Sequence, residues 1–293
     1  MITETIHSCY LCGNNELISD RLVEDHYGSG ERFQLTRCKV CDTIYTNPRP
    51  SKDKIITYYK SNSYVSHGDK INPIFDTIYK SVQSLNFRSK RGILEKYTLA
   101  KNHLDYGCGS GAFLNYLTKH KWNVEGVEPD STARAFAQEK YQLNILPDTD
   151  SIDPQTNFSS ISLFHVLEHV HDLENTLNDL INQLDENGIL LLALPNFHSN
   201  DAQHYQEYWA GYDVPRHLYH FSQKSIHQLS KTFGLNIVAT HPMKFDSYYV
   251  SLLSEQYKTG SKKYLSAFRR GYISNRMAKR NGEFSSLIYI LSK

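Results

Sequence analysis

Three sets of side chains in this 293-residue chain have the types and spacing to do chemistry. The first is Asp105-Tyr106-Gly107-Cys108-Gly109-Ser110-Gly111. Alternate glycines let a backbone turn tightly and approach a ligand closely. Glu128 follows 21 residues after Gly107, where an acid can accept hydrogen bonds from both ribose hydroxyls of an adenosine. The spacing is tighter than the G-x-G-x-x-G of dinucleotide sites, and Asp105 stands just ahead of it. A carboxylate there repels a pyrophosphate and suits a cationic amine. The second set is Cys9-x-x-Cys12 and Cys38-x-x-Cys41, two knuckles 25 residues apart. Four thiolates suit one tetrahedral zinc ion and leave no open position, so the metal would be structural. Gly13 eases the first turn, whereas Asp42 stands where a second glycine is expected. The third set lies in residues 204–222, which hold His217 and His220 among many aromatics. Either histidine could serve as a base near neutral pH, with Tyr212 or Tyr219 shaping a pocket. Equally, both could simply cap the next helix and bind nearby backbone.

The elements that position these groups read as three zones. Residues 1–50 are turn-rich and form a zinc-binding module closed by Asn47-Pro48-Arg49-Pro50. Residues 51–100 are a helical linker or cover, with Ile55, Ile56 and Tyr59 clustered and Ile74, Ile78, Val82 and Leu85 at helical spacing. From residue 101 strands and helices alternate, which implies a parallel sheet covered by helices on both faces. Strands are expected at 103–106, 124–127, 161–164, 189–194, 235–241 and 287–291, and helices at 112–120, 131–140, 173–184 and from Ser222 to near Gly234. Residues 195–222 have no periodic pattern, and their position predicts a lid over the ligand site.

Read together, these segments resemble the class I methyltransferases that use S-adenosylmethionine. Leu104 to Gly111 resembles their first motif, and Gly126-Val127-Glu128-Pro129 their second. Phe164-His165-Val166-Leu167-Glu168-His169-Val170 is similar to the fourth-strand segment of the ubiquinone-pathway O-methyltransferase branch, and Asn187 to Asn196 to the strand that closes the site. The knuckles and His217-x-x-His220-Phe221-Ser222 resemble deoxysugar C-methyltransferases. The resemblance implies a Rossmann-like α/β fold plus a small zinc-ribbon-like module. It implies that Asp105, Gly107, Cys108, Gly109 and Gly111 hold the methionine part, that Glu128 and Pro129 hold the ribose, and that His165 and Val166 line the cleft. Asp148 and Asp150 both answer for the adenine-contacting acid, with Asp148 preferred. Cys108 reads as a packed loop residue, and His165 and His169 as weaker candidates for the base.

Composition bounds the partners. The 32 basic and 31 acidic residues nearly cancel, so no global field points to nucleic acid. Met1-Ile2-Thr3-Glu4 has neither a basic start nor an apolar run behind it, and a cytoplasmic location is expected. Within residues 250–282, Gln256 to Gly282 carries eight basic residues and no acidic one, with Tyr264, Leu265, Phe268 and Tyr272 on one helical face. Such a helix can rest on an anionic membrane, hold an acidic acceptor or touch RNA phosphates, or its apolar stripe can pack on the sheet. The expected activity is methyl transfer from S-adenosylmethionine to oxygen or carbon of a small molecule, a sugar or a lipid-linked intermediate. The alternatives are an RNA methyltransferase gripping through the zinc module and tail, and a cofactor-binding scaffold without chemistry. No Asn-Pro-Pro-Tyr-type segment follows the fourth strand, which counts against amine acceptors.

Overall fold

The computed structural model describes residues 3–59 and 73–293. Near the N-terminus, β1 (Thr3–Glu4), β2 (Leu17–Glu24), β3 (Arg32–Cys38), β4 (Ile44–Thr46) and β5 (Arg49–Pro50) are followed by α1 (Lys52–Ile55) and the long α2 (Pro73–Tyr97). The alternating region then runs β6 (Asn102–Tyr106), α3 (Ala112–Thr118), β7 (Asn123–Val127), α4 (Ser131–Tyr141), β8 (Ile145–Leu146), β9 (Phe158–Phe164), α5 (Leu173–Asn182) and β10 (Leu184–Pro195). After it come α6 (Asn200–Tyr205), β11 (Tyr219–His220), α7 (Gln223–Thr232), β12 (Asn236–Pro242), α8 (Asp246–Thr259), α9 (Tyr264–Asn281) and β13 (Ser286–Ser292).

Seven strands form the large sheet in the order β12-β13-β10-β9-β6-β7-β8. Only β13 runs antiparallel to its neighbours β10 and β12, while the β10–β9, β9–β6, β6–β7 and β7–β8 pairings are parallel. From β6 the chain moves outward to β8, then returns to the other side of β6 with β9. The crevice beyond the ends of β6 and β9 is therefore the switch point, where an open α/β sheet binds its ligand. Residues 189–194 of β10 are all buried, as a strand covered on both faces requires. The α5 stripe Leu173, Leu177 and Leu180 is buried against that sheet. Trimming Leu177 to alanine would cost about 2–5 kcal/mol. Helix starts follow their caps: Asp130 accepts the Ala133 N–H, Asp172 that of Asn175, and Ser222 with Ser225 forms a capping box.

A second, antiparallel sheet has the order β11-β4-β3-β2. Its edge strand β11 comes from residues 219–220 and pairs Tyr219 with Tyr45 and His220 with Ile44. The segment expected as a lid thus pairs and packs with this second sheet. Tyr205, Trp209, Tyr212 and Val214 are buried in one cluster with Val23, Leu35 and Ile44. Its lack of periodicity reflects short turns that fill the space between two sheets. Along α2, the expected stripe fails at Leu85, which is exposed, while Ile93 and Leu94 make the buried contacts. Ile74 and Ile78 lie outside the residues whose side chains are described.

Candidate active site

Asp105 ends β6 almost fully buried. Ser162 of β9 donates a hydrogen bond to its Oδ1 at 2.6 Å. Behind Ser162 lies His103, with Nε2 3.1 Å from Ser162 Oγ and Nδ1 2.8 Å from Ser160 Oγ. Burial holds His103 down to about 3, so the ring is neutral and links the two hydroxyls. This relay fixes the carboxylate's direction. Burial also raises Asp105 to about 6, against the lowering effects of Ser162 and the Lys90 ammonium. Such a group gains by meeting a ligand cation.

The glycine loop takes left-handed backbone at Gly107, Gly109 and Gly111. A Cβ at Gly107 would stand 2.5 Å from a Val166 methyl, and one at Gly111 2.9 Å from Ala137. At Gly109 a Cβ would meet nothing within 4 Å, so the position faces open space while its N–H donates to Glu128 Oε2 at 2.8 Å. Glu128 Oε1 accepts the Asp130 N–H at 2.9 Å, which pins the acid at the end of β7. These features fit S-adenosylmethionine: a carboxylate for the amine, an open glycine wall, and an oriented acid for the ribose. Pro129 connects Glu128 to the α4 cap. Cys108 packs with Leu114 and Ile145 beneath the loop. Asp148 accepts the N–H and hydroxyl of Ser151, so its carboxylate caps a local turn.

Beyond β9 the chain turns at His165, whose φ is 58°. That turn aims the ring between two acids: Nε2 lies 3.2 Å from Asp246 at the start of α8, and Nδ1 3.6 Å from Glu168. Burial disfavours its charge, but the two carboxylates prevail and lift it to about 9. Glu168 is 1% exposed, and neither of its oxygens has a hydrogen-bond partner among the described residues. Burial penalises its charge, yet the cationic His165 beside it holds it below the usual carboxylate range. His217 approaches the same carboxylate, with Nε2 4.0 Å from Glu168 Oε1 and 4.0 Å from Asp213 Oδ2. Its Nδ1 lies 3.0 Å from the Gly211 carbonyl. A carbonyl only accepts, so Nδ1 carries a proton and Nε2 is the nitrogen that faces the two carboxylates. His169 donates likewise to the Arg216 carbonyl, and burial beside His217 lowers it to about 4.

Sequence reading therefore groups His217 and His220 where the structure separates their surroundings. His220 lies in β11, with Nε2 3.4 Å from Thr46 Oγ1 and Nδ1 unbonded among the described residues. Burial and the nearby His217 and Arg21 push it far below the usual histidine range. Tyr219 shapes the module: its hydroxyl binds the Arg49 guanidinium and the His171 carbonyl. Tyr212 packs edge-on to His220 with Arg21 over its ring. Four contributors escape sequence reading: Glu168, Asp246, Lys90 and the buried pair of Arg216 with Asp25. Glu168 leaves a trace, being one acid in the apolar run Val166-Leu167-Glu168-His169-Val170. Lys90 of α2 sits with Nζ 3.5 Å from the Phe164 ring centroid, and loss of hydration brings it down to about 8 despite Asp105 and Asp246.

In the N-terminal module, the Sγ atoms of Cys9, Cys12, Cys38 and Cys41 all lie within 4.8 Å of one another. Cys9 and Cys41 are 3.3 Å apart, and Cys12 and Cys38 3.5 Å. A tetrahedral zinc with bonds near 2.3 Å sets its sulfurs about 3.8 Å apart, so the set fits one ion. Gly13 and Asp42 both adopt left-handed backbone, at φ 69° and 71°. Asp42 thus does the work expected of glycine, and its carboxylate also binds Arg37 and His198.

A family model described as a methyltransferase domain matches residues 80–240, more than half of the chain. The chain belongs to that family. Its type is class I, dependent on S-adenosylmethionine, in line with the seven-stranded order above. A ubiquinone biosynthesis O-methyltransferase of Rhodopseudomonas palustris (strain HaA2) is 30% identical over 99 residues, covering 32% of this chain and 39% of the relative. One from Rickettsia conorii is 25% identical over 134 residues, covering 44% of each. The chain thus spans 39% to 61% of the length of the curated relatives it matches. Among solved structures, the cyclopropane synthase MmaA2 from Mycobacterium tuberculosis superposes with a TM-score of 0.47 at 16% identity, covering 70% of this chain and 83% of that one.

Proposed function

We propose that the protein transfers a methyl group from S-adenosylmethionine to an oxygen or carbon of a small-molecule, sugar or lipid-linked acceptor, with His217 as the base. The observation that carries this reading is the ring of His217, held through Nδ1 by the Gly211 carbonyl with Nε2 turned toward the buried carboxylate of Glu168. S-adenosylmethionine supplies an electrophilic methyl group, and the acceptor's nucleophile must lose a proton. His217 Nε2 takes that proton. The imidazolium so formed stands between Glu168 and Asp213, which stabilise its charge. His165, held by Asp246 and Glu168, keeps the carboxylate in place at the end of β9. Asp105 orients the amine and Glu128 the ribose. The four cysteines hold a structural zinc, which leaves it no part in the chemistry.

Labelled methyl transfer from S-adenosylmethionine into fractionated cell extract, using zinc-loaded protein, tests the assignment. Label in a lipid or sugar fraction is expected. His217→Gln should lower the rate by about 10²–10⁴-fold while leaving binding of the demethylated cofactor intact. Label in RNA, or no label beside normal cofactor binding, would refute it.

A further inference from the structure

Helix α9 is turned the opposite way from an ordinary surface helix. It buries small residues, Ala267, Gly271, Ser274 and Ala278, and leaves its large apolar side chains outside. Leu265 is 89% exposed, Phe268 64%, Tyr272 54% and Tyr264 52%. The orientation is fixed at several points. A Cβ on Gly271 would come within 2.9 Å of Tyr248 Cα and 3.0 Å of the Ser247 carbonyl on α8. Ser247 donates to the Gly271 carbonyl, Ser274 to the buried Asp201, and Asn275 to the Lys244 carbonyl. Rolling the helix to hide the aromatics would break these bonds and drive side chains into α8.

At 100° per residue, Tyr264, Phe268, Tyr272 and Leu265 cover an arc of about 100°, and Arg276, Arg269 and Arg280 follow on its edge. Lys279 falls within the arc itself. From Gln256 to Gly282 no acidic residue offsets these charges. Phe245, just before α8, and Tyr249 on it are also exposed, and Tyr248 stacks on Phe268 at 5.1 Å. The surface is therefore both apolar and cationic.

We infer that this face docks on an anionic lipid surface. The chemistry selects among occupants. A second copy meeting this face would set basic residues against basic residues with no acid to pair. RNA would use the arginines and could stack on the aromatics, but it gives no reason for a leucine at the most exposed position. An anionic bilayer answers both halves: its headgroups meet the lysines and arginines, and its upper acyl region takes Leu265 and the rings. Lysine and arginine stems reach along such an interface while their charges stay in water. No helix among the described residues is long and apolar enough to cross a membrane, so the attachment is peripheral.

A cavity of about 290 Å³ adjoins this region, lined by Lys244, Phe245, His241, Asn86, Ser89 and Lys90 among others. Lys90 in turn lies on Phe164 beside the cofactor cleft. Docking through α8 and α9 would therefore present the rim of that cavity near the lipid.

Co-sedimentation of the zinc-loaded full chain tests the inference, using vesicles of phosphatidylcholine alone or mixed with phosphatidylglycerol. The protein should sediment with the mixed vesicles, not with the neutral ones, and less at high salt. Leu265→Ser with Tyr272→Ser should weaken binding at least about tenfold at an unchanged melting temperature. Arg269→Gln with Arg276→Gln should weaken it as well. Failure to sediment with anionic vesicles overturns the proposal, as does binding that ignores the Leu265→Ser and Tyr272→Ser changes. A dimer, or RNA retention, that those two changes abolish in the absence of vesicle binding reassigns the face and overturns it too. None of these outcomes depends on methyl transfer.

Discussion

Asp105 and His217 are held by different kinds of neighbourhood. Around Asp105, the orienting bonds come from Ser162, His103 and Ser160, all on the adjacent strands β6 and β9. Around His217, they come from across the chain. Arg216 binds Asp25 at 2.8 Å, and Thr46 donates to the His217 carbonyl at 2.7 Å. Leu218 N–H binds the Glu168 carbonyl at 2.7 Å, and β11 completes the N-terminal sheet. The Asp105 end is thus built by neighbouring strands, whereas the His217 end is built against the cysteine module. Binding of the methyl donor should therefore survive damage that removes transfer.

The largest test of that contrast is the metal. On the proposed zinc site, treatment with a chelator, or Cys38→Ser, should lower Tm by at least about 10 °C, because structural zinc contributes of order 10 kcal/mol to small modules. Transfer should vanish, yet calorimetry should still find the demethylated cofactor bound. Loss of both together would merge the two regions into one. Next comes Arg216→Met. Both Arg216 and Asp25 are buried, and removing one partner of a buried pair costs about 3–5 kcal/mol. Lower Tm and slower transfer with unchanged cofactor affinity are expected, and a variant as stable as the parent would contradict the stapling role.

Asp105→Asn addresses the other end. It removes a charge-assisted bond worth about 1.5–3 kcal/mol, so affinity for S-adenosylmethionine should fall about 10–100-fold with little change in Tm. Smallest is a pH effect. Protonation of Asp105, near 6, competes with binding of the ligand's ammonium, so affinity should drop as pH falls through that value, by about tenfold per unit. It should be flat over the same range in Asp105→Asn. A decline that persists in the variant would assign the titration elsewhere.

How far these regions are legible in the sequence follows from the same difference. Strand and helix alternation, the glycine loop and Glu128 carry short-range periods, so β6 and β7 appear within a residue of their true bounds, whereas β9 and β10 begin three and five residues before the expected 161 and 189, and the two-residue β8 has no expected counterpart. Ser160 and Ser162 fall on one face of β9, two residues apart, the signal from which the His103 relay could have been read. By contrast, the two-residue strand β11 has no period of its own, and its partner lies more than 170 residues earlier. Arg216 looks like any loop arginine until Asp25 is brought beside it. The α9 stripe misleads for another reason: periodicity shows that apolar groups share a face but not which way that face points. Here the small residues of the opposite face decide it, through close approach to α8.

The pairing of Tyr219 with Tyr45 also bears on how this chain can be rearranged. A chimera that exchanges residues 1–50 alone would cut a continuous sheet and leave the foreign module without its edge strand. The exchangeable unit is discontinuous in sequence, comprising the cysteine knuckles together with residues 196–222. The cysteine module and the segment around His217 would then travel as one inheritance, while the strands β6 to β10 stay behind as a common chassis.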